Sequence, residues 1–187
     1  MYHIANDKRQ QATAEKIRQA LIHCLSVKTM SEITVSDIST AAGVSRSTFY
    51  RSFDIPLDVL RYECDRVVVI MENDYAGAKL KNLDDLVHFT LRYWKNHSEV
   101  LDAAVNCDRM DIVHKSISSR SEKLLSSLEG IIGSGFSEQE IDYIRMGAIG
   151  LISNLLSVWI KHGKKESPEQ LFDLYLKFTK LIRAIRE

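Results

Sequence analysis

The sequence predicts an all-α protein, on three observations. Apolar residues recur at spacings of three and four through nearly all of the 187 residues, the period of a helix with one buried face. Only 8 glycines and 2 prolines are present, too few for the turns of a sandwich or barrel. Capping signals stand where one periodic run gives way to the next. The apolar share of 45% and the charged share of 27% are ordinary for a globular chain, enough to bury one core or two small ones.

Taken in order, Ile17, Ala20, Leu21, Cys24 and Leu25 share one face of a first helix. Thr34-Val-Ser-Asp37 is a capping signature, Thr34 accepting from the amide of Asp37, and opens a very short helix to Ala42. Gly43 follows, where a positive φ meets no side chain. Ser45 caps a second short helix, Arg46 to Arg51. Pro56 suits the first turn of a long helix, with Leu57, Leu60, Cys64, Val67, Val68, Met71 and Tyr75 along one face. Val67 to Ile70 is partly β-branched, but the flanking period predicts helix. Beyond Gly77, Leu83, Leu86, Val87, Leu91 and Trp94 mark one helix, and Ser98 caps a shorter one to Cys107. Met110, Val113, Ile117, Leu124, Leu128 and Ile131 mark a long one, broken by Gly133-Ser-Gly135. Ser137-Glu-Gln-Glu140 is a capping box that starts a helix apolar nearly all round from Ile141 to Ile160, ending at Gly163. Ser167-Pro-Glu-Gln170 starts the last, with Leu171, Leu174, Tyr175, Phe178, Leu181, Ile182 and Ile185 in a clean stripe. The total is about nine helices, with no strand, repeat or low-complexity tract.

Lysine plus arginine is 25 and aspartate plus glutamate is 25, so the whole molecule does not adhere electrostatically to nucleic acid or membrane. The charge is nevertheless uneven. Residues 1–51 hold Lys8, Arg9, Lys16, Arg18, Lys28, Arg46 and Arg51 against Asp7, Glu15, Glu32 and Asp37, a net +3 that leaves −3 for the rest. Cys24, Cys64 and Cys107 form no CxxC pair, which predicts buried thiols in a reducing compartment. Met1 to Gln11 is polar and lacks the apolar core of a signal peptide. The longest apolar stretch, 147–160, is 14 residues with Ser153, Asn154 and Ser157 inside it, too short for a bilayer. A cytoplasmic chain without a membrane partner is therefore expected. His3, His23, His88, His97, His114 and His162 show no paired ligand spacing, so no zinc and no other cofactor is expected. No nucleophile motif, phosphate loop or spaced carboxylate pair is present, which predicts that the protein is not an enzyme.

The stretch 33–53, ITVSDISTAAGVSRSTFYRSF, carries the chemistry. Two helices this short do not stand alone, and a glycine turn between them describes a helix-turn-helix. Ile38, Ala41, Ala42 and Val44 supply small packing at the crossing, while Phe49 and Phe53 anchor the second helix inward. Ser45, Arg46, Ser47, Thr48, Tyr50 and Arg51 are left facing out, with hydroxyl and guanidinium groups that bond to phosphates and base edges. A generic helical hairpin with a solvated polar face fits the same periodicity.

These residues resemble the N-terminal DNA-binding domain of the TetR family of transcriptional regulators. The family's pattern runs T-V-x-D-I-A-x-x-A-G-V-S-x-x-T-x-Y-R-x-F. The chain has Thr34, Val35, Asp37, Ile38, Ala42, Gly43, Val44, Ser45, Thr48, Tyr50, Arg51 and Phe53 at those places, with Ser39 where alanine is usual. The resemblance covers about residues 10–62. The remainder resembles the family's ligand-binding and dimerisation domain more loosely. Within it Gly147 to Gly163, with Trp159-Ile-Lys161 before His162-Gly163, and then Ser167-Pro-Glu, is similar to regulators like the dihydroxyacetone-kinase operon activator.

The resemblance implies a helix-turn-helix head at 1–53 and an effector-binding and dimerisation body at 54–187, joined through a helix at about 56–76. It implies a sequence-specific regulator, acting as a repressor that a small molecule releases. The helix from Ser45 would enter the major groove of double-stranded DNA, with Ser45, Arg46 and Ser47 nearest the bases. Thr48, Tyr50 and Arg51 would touch phosphate or sugar, and Thr34 would bring backbone amides to a phosphate. A homodimer would present two heads to a palindromic site. Phe89, Tyr93, Trp94, Cys107, Met110, His114 and Met146 are candidates to line the effector pocket. Gly147 and Gly150 permit close approach of the apolar helix to a second subunit, in a four-helix bundle with the last helix. One departure stands out. After Phe53 the family often has a lysine-containing run that contacts phosphate, and here Asp54-Ile55-Pro56-Leu57 stands instead. That motivates a second reading, the same fold serving as a protein-interaction module or coactivator with weakened or lost DNA binding.

Overall fold

The computed structural model describes residues 1–78, 80–120, 126 and 135–184. Among them are nine α-helices and no strand: α1 (Lys8–Leu25), α2 (Val35–Ala42), α3 (Arg46–Tyr50), α4 (Pro56–Gly77), α5 (Leu83–Asn96), α6 (Ser98–Asn106), α7 (Met110–Arg120), α8 (Glu138–Lys161) and α9 (Pro168–Ala184). The all-α expectation holds. Of the long helix expected from Met110, Leu124, Leu128, Ile131 and the break at Gly133 lie outside the described residues, as does Ile185 of the last stripe.

The start signals work as local chemistry requires. Thr34 Oγ1 accepts from the Asp37 amide at 3.1 Å, and the Asp37 carboxylate accepts from the Thr34 amide at 2.9 Å. Ser45 Oγ accepts from the Thr48 amide at 3.1 Å. Ser137 and Glu140 exchange the same reciprocal bonds, at 3.3 and 2.8 Å. Ser167 Oγ accepts from the Gln170 amide at 3.2 Å. These bonds satisfy amides that the first turn of a helix leaves without partners. Ser98 differs from expectation. His97 alone separates α5 from α6, so Ser98 is the first helical residue and not a cap.

The chain packs as two units, Met1–Val68 with Glu99–Arg120, and Val69–Ser98 with the described residues from 121 onward. In the first, Ile17, Leu21, Ile38, Phe49, Phe53, Leu60 and Leu101 are fully buried. The Phe53 ring lies 5.7 Å from Phe49 and 5.8 Å from Tyr62, and Tyr2 packs 5.4 Å from Tyr62. Such aromatic contacts add to area burial when the rings tilt, as these do. Arg18 of α1 donates to Glu15 and reaches Glu63 of α4 at 3.2 Å, and Glu63 also holds Arg66 at 2.8 Å. At the helix-turn-helix crossing the packing differs from expectation. Ile38 and Ser39 are buried, Ala42 and Val44 half-buried, and Ala41 exposed. The inward positions on α2 are those at i, i+1 and i+4, and the helix turns Ala41 away. Gly43 has φ +65°, and its amide donates to Thr40 O at 3.1 Å while Val44 N reaches Ser39 O at 3.0 Å, closing α2 so that the chain can turn into α3.

In the second unit α5 buries Leu86, Val87, Thr90, Leu91, Tyr93 and Trp94. It packs against α8 and α9. Arg92 of α5 donates to Glu169 of α9 at 2.8 Å, and the His88 and Phe172 rings lie 5.2 Å apart. α8 buries Ile149, Ser153, Leu156 and Trp159, and Trp159 Nε1 donates to Glu166 O at 3.1 Å. The apolar run of the sequence thus sits inside a 24-residue helix that by length and composition is able to cross a membrane, with 28% of its most apolar window buried. A core helix of a globular unit meets the same measure. The three cysteines are free; Cys24 and Cys64 are buried as expected, and Cys107 is half-buried.

Candidate nucleic-acid interface

α3 is five residues long, and its position depends on its neighbours. Phe49 is its buried anchor, at 0% exposure. Around that anchor Ser45, Arg46, Ser47, Tyr50 and Arg51 are exposed, and Thr48 is half-buried. The hydroxyls are organised among themselves. Ser45 Oγ lies 2.8 Å from both Ser47 Oγ and Thr48 Oγ1. Arg46 Nη2 donates to the Tyr50 hydroxyl at 3.4 Å, a long bond that a better acceptor can replace. The result is a short ridge of donors with one guanidinium near its tip and another at its end.

Thr34 stands at the start of α2 with its polar groups engaged. Both its amide and its hydroxyl donate to the Asp37 carboxylate, at 2.9 and 2.8 Å. Lys28 Nζ donates to the same carboxylate at 2.8 Å. Lys28 first, then the Thr34 amide and hydroxyl, hold the Asp37 carboxyl at about 2. The turn after Phe53 is also internally paired. The Met1 ammonium lies 2.9 Å from Asp54 and 3.0 Å from the fully buried Asp58, and His3 Nε2 lies 3.3 Å from Asp54. The ammonium, then His3, hold the Asp54 carboxyl below its ordinary value. Asp58 accepts from the amides of Asp54 and Ile55 at 3.2 Å each, which sets the start of α4.

Sequence reasoning missed this arm. Tyr2 bridges to Phe53 in an antiparallel pair, its hydroxyl donates to Asp65, and His3 N donates to Ser52 O at 2.8 Å. Gln10 Nε2 donates to His3 O at 2.6 Å and to Arg51 O at 3.1 Å, tying the start of α1 to the end of α3. The partners are 41 or more residues apart in sequence for the Gln10–Arg51 and terminal contacts, beyond the reach of any local pattern.

The residues expected to line an effector pocket fall in both packing units. Phe89, Tyr93, Trp94 and Met146 belong to the second, and Cys107, Met110 and His114 to the first. Tyr93 stacks with Phe89 at 6.2 Å and with His97 at 4.4 Å. Trp94 is 1% exposed, and Met146 is half exposed on α8.

No family model and no curated protein matches the chain. Solved structures do. A TetR transcriptional regulator from Streptococcus agalactiae is similar at 21% identity with a TM-score of 0.61, over 91% of this chain and 95% of that one. The fatty acid degradation regulator FadR from Bacillus halodurans is similar at 17% identity with a TM-score of 0.58, over 90% of this chain and 93% of that one. The chain therefore has the all-helical fold of TetR-type regulators. The likeness of its C-terminal part to the dihydroxyacetone-kinase operon activator finds no support in these matches.

Proposed function

We propose that this protein is a sequence-specific DNA-binding regulator of transcription. It works in the cytoplasm as a homodimer on a palindromic operator, and as a repressor it is released by a small organic effector. The observation that carries this reading is the outward face of α3, where Ser45, Arg46, Ser47, Tyr50 and Arg51 are exposed around one buried phenylalanine. Hydroxyl and guanidinium groups on the exposed side of a short helix suit phosphates and base edges better than they suit a protein core. Arg46 reads a guanine, since it is the long cation nearest the helix tip, and Ser45 and Ser47 flank it. Thr48, Tyr50 and Arg51 hold phosphate or sugar. The Thr34 amide and hydroxyl serve Asp37, and the Asp37 amide serves Thr34, so a phosphate at α2 meets the amides of Val35 and Ser36.

The dimer is supported by the apolar surface of α8 and α9. Met146, Val158, Leu174, Phe178 and Leu181 are all large, apolar and exposed. Surface of that kind marks a subunit contact. An effector that prefers one spacing of the two heads lowers DNA affinity by its differential binding to that state, with Phe89, Tyr93, Trp94, Cys107, Met110, His114 and Met146 as the residues to probe. The chemistry is binding alone, with no enzymatic step.

The interaction-module reading rests on Asp54, Pro56 and the missing lysine. The Asp54 charge is offset at the turn by the Met1 ammonium, which weakens one part of that motive. The test is retardation of genomic fragments at low salt, followed by footprinting. The expected result is protection of two half-sites about 10 base pairs apart or a multiple of that. A folded dimer that retards no fragment favours the interaction module.

A further inference from the structure

The head carries a second cationic surface beside α3. A cleft of about 480 Å³ is lined by Asp7, Arg9, Gln10, Thr13, Thr48, Arg51 and Ser52, from the first turns of α1 and the end of α3. We propose that Arg9 and Arg51 clamp a backbone phosphate of duplex DNA in this cleft, adjacent to the groove face of α3. The proposal rests on the DNA-binding reading and extends the contact surface to α1, which that reading leaves out.

Three observations carry it. Arg9 and Arg51 are exposed, come from different elements and line one cleft, and neither is held in an ion pair among the described residues. The one carboxylate on the wall, Asp7, is used as the cap of α1, where it accepts from the Gln10 amide at 2.9 Å. Two guanidinium groups against that single carboxylate leave the cleft net cationic. Gln10 then fixes the geometry. Its side-chain amide donates to His3 O at 2.6 Å, Arg51 O at 3.1 Å and Ser52 Oγ at 3.3 Å, so the backbone that bears one arginine is tied to the helix that bears the other. Paired guanidinium groups on a braced frame suit a tetrahedral oxyanion, which accepts several bonds at once. Thr48 and Arg51 belong both to this wall and to the outward face of α3, so a duplex seated on that face runs its backbone past the cleft.

A phosphodiester in DNA and free inorganic phosphate share this chemistry, and the experiment separates them. Binding is followed by fluorescence anisotropy against salt, on a duplex from upstream of the protein's own gene and on an unrelated duplex. Arg9→Ala lowers affinity on both by about tenfold near 0.1 M salt and flattens the log–log salt slope by about 0.9. Arg9→Lys keeps the slope, since it keeps the charge. An unchanged slope in Arg9→Ala overturns the site, while a loss in Arg46→Ala confined to the upstream duplex leaves the DNA-binding reading standing. A loss in Arg9→Ala on one sequence alone marks a base contact and overturns the phosphate assignment. Inorganic phosphate that raises the melting temperature of the wild type at matched ionic strength, but not that of Arg9→Ala, while Arg9→Ala leaves duplex affinity and salt slope unchanged, assigns the cleft to a free anion and overturns the duplex. A wild-type protein that binds neither duplex overturns both this site and the reading beneath it.

Discussion

The segment α2–α3 and the pair α8–α9 both have one buried and one exposed face, and the exposed faces differ in kind. Around α3 the surface is serine, threonine, tyrosine and arginine. Along α8 and α9 it includes Tyr143 at 81% exposure, Met146 at 52%, Phe178 at 46% and Leu181 at 60%. A face of donors is satisfied by water and exchanges that water for an anion at modest cost. A face of large apolar groups is not satisfied by water, and covering it is favourable at about 25 cal/mol for each Å². Under the proposed function the two regions do different work, one toward a charged polymer and the other toward a second copy of the chain.

The largest expected effect breaks the apolar side. Phe178→Asp with Leu181→Asp converts a dimer to a monomer, read by sedimentation at micromolar concentration as a fall to the single 21.4 kDa chain. Operator affinity falls with it by about a hundredfold or more, because the second head no longer binds at high effective concentration. A wild type already monomeric there sinks the assignment. Next comes the anchor of the polar side. Phe49→Ala removes a fully buried ring and costs about 3–5 kcal/mol in urea unfolding. An effect below about 1 kcal/mol shows that α3 is not held by this ring.

A smaller effect runs in the opposite direction. Ser39 is buried at 3% exposure, and its hydroxyl has no hydrogen-bond partner among the described residues. Ser39→Ala relieves an unsatisfied hydroxyl and raises stability by about 1 kcal/mol, measured by the urea midpoint. A decrease places a bond on that hydroxyl.

The smallest effect is in acid and compares the two units directly. Asp37 is held at about 2 by Lys28 and Thr34 in the first unit, and Glu169 at about 2 by Arg92, its own backbone amide and Ser167 in the second. Both folded values are depressed, so each contribution is complete above the unfolded carboxyl pKa of about 4 and fades as pH falls toward 2. Asp37→Asn and Glu169→Gln each make the stability profile flatter between about pH 4 and 2. Curves that superimpose on the wild type show that the pairs add nothing.

Much of this was legible because it is local. The caps at Thr34, Ser45, Ser137 and Ser167 lie within three residues of their partners, and side-chain period marks α4 and α9 without reference to anything distant. The outward set on α3 follows from placing Phe49 inward. What escaped was long-range. Met1 to Gln11 reads only as polar, yet Met1, Tyr2 and His3 pair with Ser52, Asp54, Asp58 and Asp65. Arg9 counts only toward net charge in the sequence, since the cleft it lines with Arg51 joins elements far apart along the chain. Composition points to Ala41 in the crossing, because a small residue fits either face of a helix, and the exposed side is where it lies.

The central claim is that the polar ridge of α3 reads DNA sequence, and the most direct measurement is a ratio. Affinity for a footprinted operator is divided by affinity for an unrelated duplex of equal length at the same salt, for the wild type and for Arg46→Ala. The account predicts a wild-type ratio well above one, and a loss of about 1–3 kcal/mol on the operator with little change on the unrelated duplex in Arg46→Ala, together with relaxed preference at one base position. An equal loss on both duplexes makes Arg46 a phosphate contact and contradicts base reading by this helix tip. A wild-type ratio of one contradicts sequence-specific regulation altogether.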